Sequence, residues 1–213
     1  MCWPFSDAFR RQVAGRCAAF SRVAAPAGSA GLKRAAVAIT LLPLEDRGKP
    51  PRAGFLLTRR AMALRGHGGQ WALPGGRCEA RETSAQAALR ELAEEVAISL
   101  PADAVLGLLD DYPTRSGYVI TPVVIWGGGR LDPRPSPDEV VAVYRVGLHQ
   151  LLRVDSPRFI AIPESPRPVV QIPLGNDLIH APTGAVLLQL RWLCLEGKHD
   201  PVHQLEQPVF AWK

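Results

Sequence analysis

The chain is short of the features that staple or anchor small proteins. It has four cysteines in 213 residues, Cys2, Cys17, Cys78 and Cys194, and they are widely scattered. No CxxC pair and no Cys/His cluster appears, which excludes a disulfide framework and a zinc knuckle and implies reduced thiols in a cytoplasmic protein. No apolar run reaches membrane-spanning length: the longest, residues 35–44, is interrupted by Pro43. The N-terminal residues lack the apolar core of a secretory signal. Aromatic residues are 7% of the chain, and no alternation of basic and aromatic residues suggests a nucleic-acid groove. Acidic residues are missing altogether between positions 47 and 78.

What is present is a chain long enough for a sizeable core. Hydrophobic residues make up 47% and charged residues 21%, with 25 basic against 20 acidic groups. The net charge of +5 is a slight bias toward anionic partners. Glycine and proline are plentiful, at 19 and 20.

Ser6 is placed to cap a short helix that aligns Phe9, Val13, Cys17 and Phe20 on one stripe. A small-residue linker follows at 23–33. The apolar run 34–42 reads as a buried strand, 43–54 as a loop rich in Pro and Gly, and 54–59 as a second strand. A glycine-rich stretch occupies 66–76. Helical periodicity covers 84–96, started by a Thr83/Gln86 capping box. Further strands are expected near 104–109, 118–126 and 139–146, with ordered loop and short strand at 157–173. A last helix should run from Thr183 to Glu196. Strands mixed with helices imply an α/β (α+β) layered fold. The expected organisation is an N-terminal helix and linker (1–30), one main domain (31–197) and a C-terminal tail packed on it (198–213).

The 84–96 helix concentrates charge. Leu89, Leu92, Ala93 and Val96 lie on one side, with Glu91, Glu94 and Glu95 nearly opposite. Such spacing predicts one patch of carboxylates whose mutual repulsion a hard cation such as Mg²⁺ or Mn²⁺ would relieve. Taken alone, it equally describes a solvated polar face. Upstream stands the turn Leu73-Pro74-Gly75-Gly76, where backbone can approach a ligand closely. From Gly76, five residues lead to Glu82 and seven more to Arg90-Glu91-Leu92-Ala93-Glu94-Glu95-Val96-Ala97-Ile98.

This series resembles the Nudix box, GX5EX7REUXEEXGU, at every fixed position except its last Gly, here Ala97. Chance agreement at six fixed positions is on the order of 10⁻⁷ at average residue usage. The resemblance implies a Nudix fold, an α/β/α sandwich with a mixed sheet, and a hydrolase of nucleoside diphosphate derivatives needing Mg²⁺ or Mn²⁺. It implies metal ligation by Glu94 and Glu95, with Glu91 a further ligand or a water-orienting group and the Gly75 carbonyl completing the shell. Arg90 and Glu82 would support that set as part of the catalytic machinery, and Glu91 or Glu139 would be the general base. Ala97 bears on how the helix ends, since a left-handed exit strains an alanine; it removes no ligand.

A second series narrows the substrate. Leu56-Leu57-Thr58-Arg59-Arg60-Ala61, then Arg65, Gly69 and Leu73-Pro74-Gly75-Gly76, resembles the motif of the coenzyme A pyrophosphatase branch, LLTxR(S/A)x3Rx3Gx3FPGG, with Leu73 in place of Phe. Residues 115–122 and 137–140 resemble that branch more loosely. The expected activity is cleavage of coenzyme A or acyl-coenzyme A at the pyrophosphate. Arg60, Arg65 and Gly76 are the expected substrate contacts, Arg65 foremost for phosphate. The alternatives are another nucleoside diphosphate such as ADP-ribose or NADH, and a non-catalytic ligand sensor on the same fold. The expected partner is a small nucleotide, with no nucleic acid and no membrane; a homodimer is an open option.

Overall fold

A computed structural model describes residues 3–26, 28–62 and 68–212. The chain begins with helix α1 (Asp7–Ala19) and the long strands β1 (Lys33–Asp46) and β2 (Lys49–Arg60). Two short strands, β3 (Trp71–Ala72) and β4 (Gly75–Arg77), lead to helix α2 (Ser84–Val96). Strands β5 (Val105–Leu108), β6 (Tyr112–Pro113), β7 (Tyr118–Trp126) and β8 (Val140–Gly147) follow. A three-stranded sheet of β9 (Arg158–Ile162), β10 (Ser165–Leu174) and β11 (Asp177–His180) precedes helix α3 (Thr183–Leu190). Among the described residues, no helix is long and apolar enough to cross a membrane.

The main sheet is mixed. β1 runs parallel to β7 from Lys33↔Tyr118 to Leu41↔Trp126 and antiparallel to β2. Alternation along these strands feeds two cores. Ile39, Leu41, Phe55, Leu57, Val124 and Trp126 point to the side covered by α1 and α3. Ala36, Ala38, Leu42, Leu56, Val123 and Ile125 point to the side covered by α2 through Ala88, Leu92 and Val96. The expected sandwich of helices on both faces of a mixed sheet is therefore what forms.

Several boundaries differ from the sequence expectations. β1 continues through Pro43 to Asp46 and turns directly into β2, where a loop was expected. Pairing with β7 ends at Leu41, so the missing N–H of Pro43 removes no bond from a two-sided ladder. Phe20 lies outside the buried stripe: it follows α1 in extended conformation, half-buried, with its ring edge-on to His199. The 157–173 stretch is mostly strand, its prolines Pro166 and Pro168 sitting where β10 is out of register with β9. The last helix covers Thr183–Glu196, but Arg191–Glu196 winds more widely, in π-helical fashion.

Both helix caps follow from local chemistry. Ser6 accepts the Phe9 N–H at 3.3 Å. Thr83 Oγ1 accepts the Gln86 N–H at 3.2 Å, and Gln86 Oε1 accepts the Thr83 N–H at 2.9 Å, a reciprocal capping box. At its far end α2 exits through Ala97 in left-handed conformation, φ 56°. The loop before β8 binds this end as well, with Arg134 N donating to Val96 O and Ser136 N to Glu95 O.

The C-terminal segment is clamped by one carboxylate. Glu206, 1% exposed, accepts from both Arg115 and Arg167 at 2.6 Å and from the Gln207 N–H at 3.0 Å. Burial by itself would raise its pKa, but these donors together hold it down to about 2.

Two outcomes follow from these local structures. Ala97→Gly should stabilise the protein by about 0.5–1 kcal/mol, by removing the left-handed strain of a Cβ. Chemical denaturation will show the midpoint rise at unchanged slope; an unchanged or lower midpoint contradicts the strain. Because the Glu206 pKa is depressed on folding, its contribution is complete above about pH 4.5 and is lost as pH falls toward 2. Glu206→Gln should cost about 1–2 kcal/mol at pH 7 and little near pH 2, read as a converging pair of pH–stability curves.

Candidate active site

The turn ahead of α2 is built so that two backbones and a carboxylate crowd together. Pro74 O accepts the Ala38 N–H at 2.7 Å, and β4 pairs with the first half of β1 through Ala36↔Gly76 and Val37↔Gly75. A Cβ on Gly75 would lie 2.3 Å from Ala36 O and 2.7 Å from Val37 Cα. One on Gly76 would lie 2.3 Å from Glu91 Oε1. Backbone excludes a side chain at Gly75, while one at Gly76 would have to displace the Glu91 carboxylate. The Gly76 space is occupied by the Glu91 carboxylate.

Arg90 organises the acidic groups around this turn. Its Nε and Nη2 donate to the two oxygens of Glu82 at 3.0 and 3.1 Å. Nη1 donates to Glu91 Oε1 at 2.9 Å and Glu94 Oε2 at 2.8 Å, and Nη2 also reaches Arg77 O at 3.1 Å. One planar guanidinium thus ties the helix to the loop at 79–82 and to β4. The hydrogen bond to Arg90 lowers the Glu82 pKa, and in return the Arg90 pKa is raised, chiefly by Glu82.

The three helix glutamates do not share one solvated patch. Glu95 is buried at 3% exposure, Glu91 is half-buried, and the Glu94 side chain is 58% exposed. Ala87, Ala88, Leu92 and Val96 are buried on the same helix, so the face turned inward is wide enough to take Glu95 with it. Burial pushes the Glu95 carboxyl up to about 8 against the opposing charge of Arg60; Glu91 and Glu139 push it further, and the Gly75 N–H that bonds it pulls it back. Glu91 is also raised, by burial first, despite its bond to Arg90. Glu139 is exposed just before β8, yet its charge reaches both Glu91 and Glu95.

Among the described residues, no three His, Cys, Asp or Glu side chains stand close enough together to form a ready metal cage. The donor chemistry nevertheless suits a hard divalent ion: carboxylate oxygens crowd at a turn cleared of side chains, and the buried one, with a carboxyl at about 8, makes no ion pair among the described residues. Glu91, Glu94 and Glu95 could hold such an ion. Gly75 enters this network through its N–H, which bonds Glu95.

The same glycine turn opens on its other side into a cleft of about 290 Å³. Arg60, Gly75 and Gly76 line it together, which joins two of the expected substrate contacts to the carboxylate cluster. Arg65 lies outside the described residues. Cys78 is half-buried, and burial raises its thiol pKa, which is the opposite of an activated nucleophile. Sequence reasoning missed the far wall of the cleft, including Trp71, Tyr118, Thr183 and Gln207. These residues come from four separate parts of the chain, and no spacing rule connects them.

Comparison with known proteins bears on this arrangement. The NUDIX domain family model matches residues 33–164. The uncharacterized Nudix hydrolase NudL of Escherichia coli O6:H1 is 44% identical over 118 residues, which cover 55% of this chain and 60% of that protein. NudL of Salmonella newport is 43% identical over the same shares. The match thus spans less than two thirds of these curated relatives. A MutT/nudix family protein from Enterococcus faecalis is 16% identical, covering 70% of this chain and 51% of that chain at a TM-score of 0.48. The MutT protein from Methanosarcina mazei Go1 is 22% identical, covering 63% and 84% at a TM-score of 0.43.

Removing the Arg90 fork should destabilise the folded state, since Glu82 and Glu91 would be left mostly buried without their partner. Arg90→Ala is expected to cost about 2 kcal/mol, below the ~3–5 kcal/mol of a fully buried pair. Arg90→Lys should recover less than half of that, because an ammonium cannot span both Glu82 oxygens. Urea unfolding of the two variants measures this; equal stability of Ala and Lys would deny the fork its role.

Proposed function

Because the chain belongs to the NUDIX domain family, we propose that it is a divalent-metal-dependent hydrolase of nucleoside diphosphate derivatives, acting on coenzyme A or an acyl-coenzyme A. The products would be 3′,5′-ADP and the corresponding 4′-phosphopantetheine. The observation that carries this reading is the meeting of two opposite environments at Gly75–Gly76. On one side lie the buried Glu95 and the Glu91 carboxylate; on the other, a cleft lined by Arg60. The choice of coenzyme A within that class rests on the run from Leu56 to Gly76 and its resemblance to the coenzyme A pyrophosphatase motif.

In this reading Glu91, Glu94 and Glu95 hold the ion. When bound, the ion neutralises pyrophosphate charge and makes water a better nucleophile. Nudix hydrolases generally use divalent metals, and Mg²⁺ or Mn²⁺ suits these oxygen donors. Arg90 fixes the orientation of Glu91 and Glu94 while Glu82 fixes Arg90. Gly76 allows the Glu91 carboxylate to lie against the backbone. Arg60 faces the substrate phosphates from the cleft side, with Arg65 as a second cation. Glu139 is the base we favour: it is exposed and close enough to feel Glu91 and Glu95, while Glu91 is already bonded to Arg90.

Incubation of the full chain with coenzyme A and Mg²⁺, with products resolved by mass, is expected to yield 3′,5′-ADP and 4′-phosphopantetheine. Cleavage of ADP-ribose or NADH with coenzyme A untouched would overturn the substrate assignment. Glu95→Gln should lower kcat by about 10³-fold or more while the protein stays folded, as expected for loss of a ligand to a charge-stabilising ion. Turnover within a few-fold of the parent would remove Glu95 from the metal set.

A further inference from the structure

Among the polar side chains that line the cleft beyond the glycine turn, Gln207 is the amide that the described fold leaves without a partner. Gln207 is 2% exposed and lines the cleft. Its backbone is fully engaged, the N–H donating to Glu206 Oε1 at 3.0 Å and the carbonyl accepting from Trp212 Nε1 at 3.5 Å. Its side-chain amide makes no hydrogen bond among the described residues. The amide atoms are not sealed off in the interior, so they face the cleft and are free to meet a ligand there. Two threonines on this wall are committed to the protein: Thr183 Oγ1 donates to Trp71 O at 3.2 Å, and Thr114 Oγ1 donates to Tyr118 O at 3.0 Å. The backbone of Gln207 is held in place from behind. Glu206, which accepts the Gln207 backbone N–H, is itself gripped by Arg115 and Arg167.

The chemistry of the cleft restricts what the amide can meet. Among the described residues no carboxylate lines it, and the aromatic rings of Trp71 and Tyr118 do. Arg60 and Arg77 line it as well, Arg77 in β4 with Gly75 at the glycine turn. A ligand whose phosphates met these arginines could lay a flat, uncharged portion against the aromatic rings and Gln207. A glutamine amide offers one donor and one acceptor side by side. That pattern complements the N6 amine and N7 of adenine, whereas guanine presents two acceptors on the same edge and calls for two donors.

We infer that Gln207 is a specificity residue that recognises the N6/N7 edge of an adenine base seated in this cleft between Trp71 and Tyr118. The inference rests on the nucleotide-hydrolase reading above and adds to it the part of the substrate that the C-terminal segment reads. Gln207 lies outside the residues matched by the family model, 33–164, so it is a feature of this chain's own C-terminal segment.

Calorimetric binding of adenosine monophosphate, inosine monophosphate and 7-deaza-adenosine monophosphate to the full chain tests it without requiring turnover. Adenosine monophosphate should bind about 10-fold more tightly than either analogue, the size expected for one good bidentate pair. Gln207→Met keeps the side-chain length and removes both hydrogen-bonding groups. It should bind all three nucleotides alike, at the level of the analogues, and raise KM for coenzyme A about 10-fold with kcat unchanged. The 7-deaza analogue probes the parent protein, so a variant that fails to fold does not spare the inference. Equal binding of the three nucleotides by the parent overturns it, as does discrimination that survives in Gln207→Met. If no diphosphate is cleaved but binding depends on Gln207 in this way, the base assignment stands and the hydrolase reading falls. If coenzyme A is cleaved with indifference to the base edge, the reverse holds.

Discussion

The site depends on a single cation, Arg90. Glu82, Glu91 and Glu94 all point at its guanidinium, and the carbonyl of Arg77 takes a further hydrogen from it. Three carboxylates within one loop and one helix turn would otherwise repel each other and loosen the start of α2. A lysine would compensate charge without geometry. The planar fork does both, fixing the loop at 79–82, the strand β4 and the helix face at once. The Glu91 carboxylate can then sit in the space that a side chain on Gly76 would fill.

Glu95 is treated differently by the same helix. It is buried and makes no ion pair among the described residues, and burial displaces its carboxyl to about 8 against the charge of Arg60. A buried carboxylate with so little compensation works against folding, because the charged form has lost its hydration. Burial therefore favours the neutral acid, and a cation brought beside it would favour the charged form. Placing the compensated carboxylates outward and the uncompensated one inward divides the helix into a scaffold half and a half that waits for charge. In the proposed reading that charge is the metal.

The helix and its caps were legible in the sequence because their rules are local. The capping box, the 84–96 span and the left-handed exit at Ala97 all depend on residues within one or two turns. The strands of the main sheet were legible in kind, and β1 was misjudged only at Pro43, where the absence of a second neighbour strand decides what a proline can do. Burial of Glu95 was not legible. Helical periodicity assigns a glutamate to the polar face, and only the packing of Ala87, Ala88 and Leu92 against β1 and β2 shows how far the inward face extends. The clamp of Glu206 on Arg115 and Arg167 joins residues separated by 91 and 39 positions. Pairings of that range follow from topology, and no local pattern announces them. The cleft wall was missed for the same reason.

These separations matter for what the cleft can be. Its inner lining comes from β1, β4 and β7, all within the family-matched segment, but Gln207 and Thr183 come from beyond it. The carboxylate cluster is held by contacts between residues 77 and 94, which no change in the C-terminal segment touches directly. The far wall is held by Glu206, which makes no bond to the carboxylate cluster. In the proposed reading, chemistry and recognition rest on two ion-pair networks that share no hydrogen bond among the described residues. A substitution in one network can alter what is bound without disturbing the groups that would act on it, because energies at sites without shared partners are close to additive. The glycine turn is the exception. A side chain on Gly75 would strike the backbone of Ala36 and Val37, and one on Gly76 would displace the Glu91 carboxylate, so in the proposed reading a change there touches binding and chemistry together.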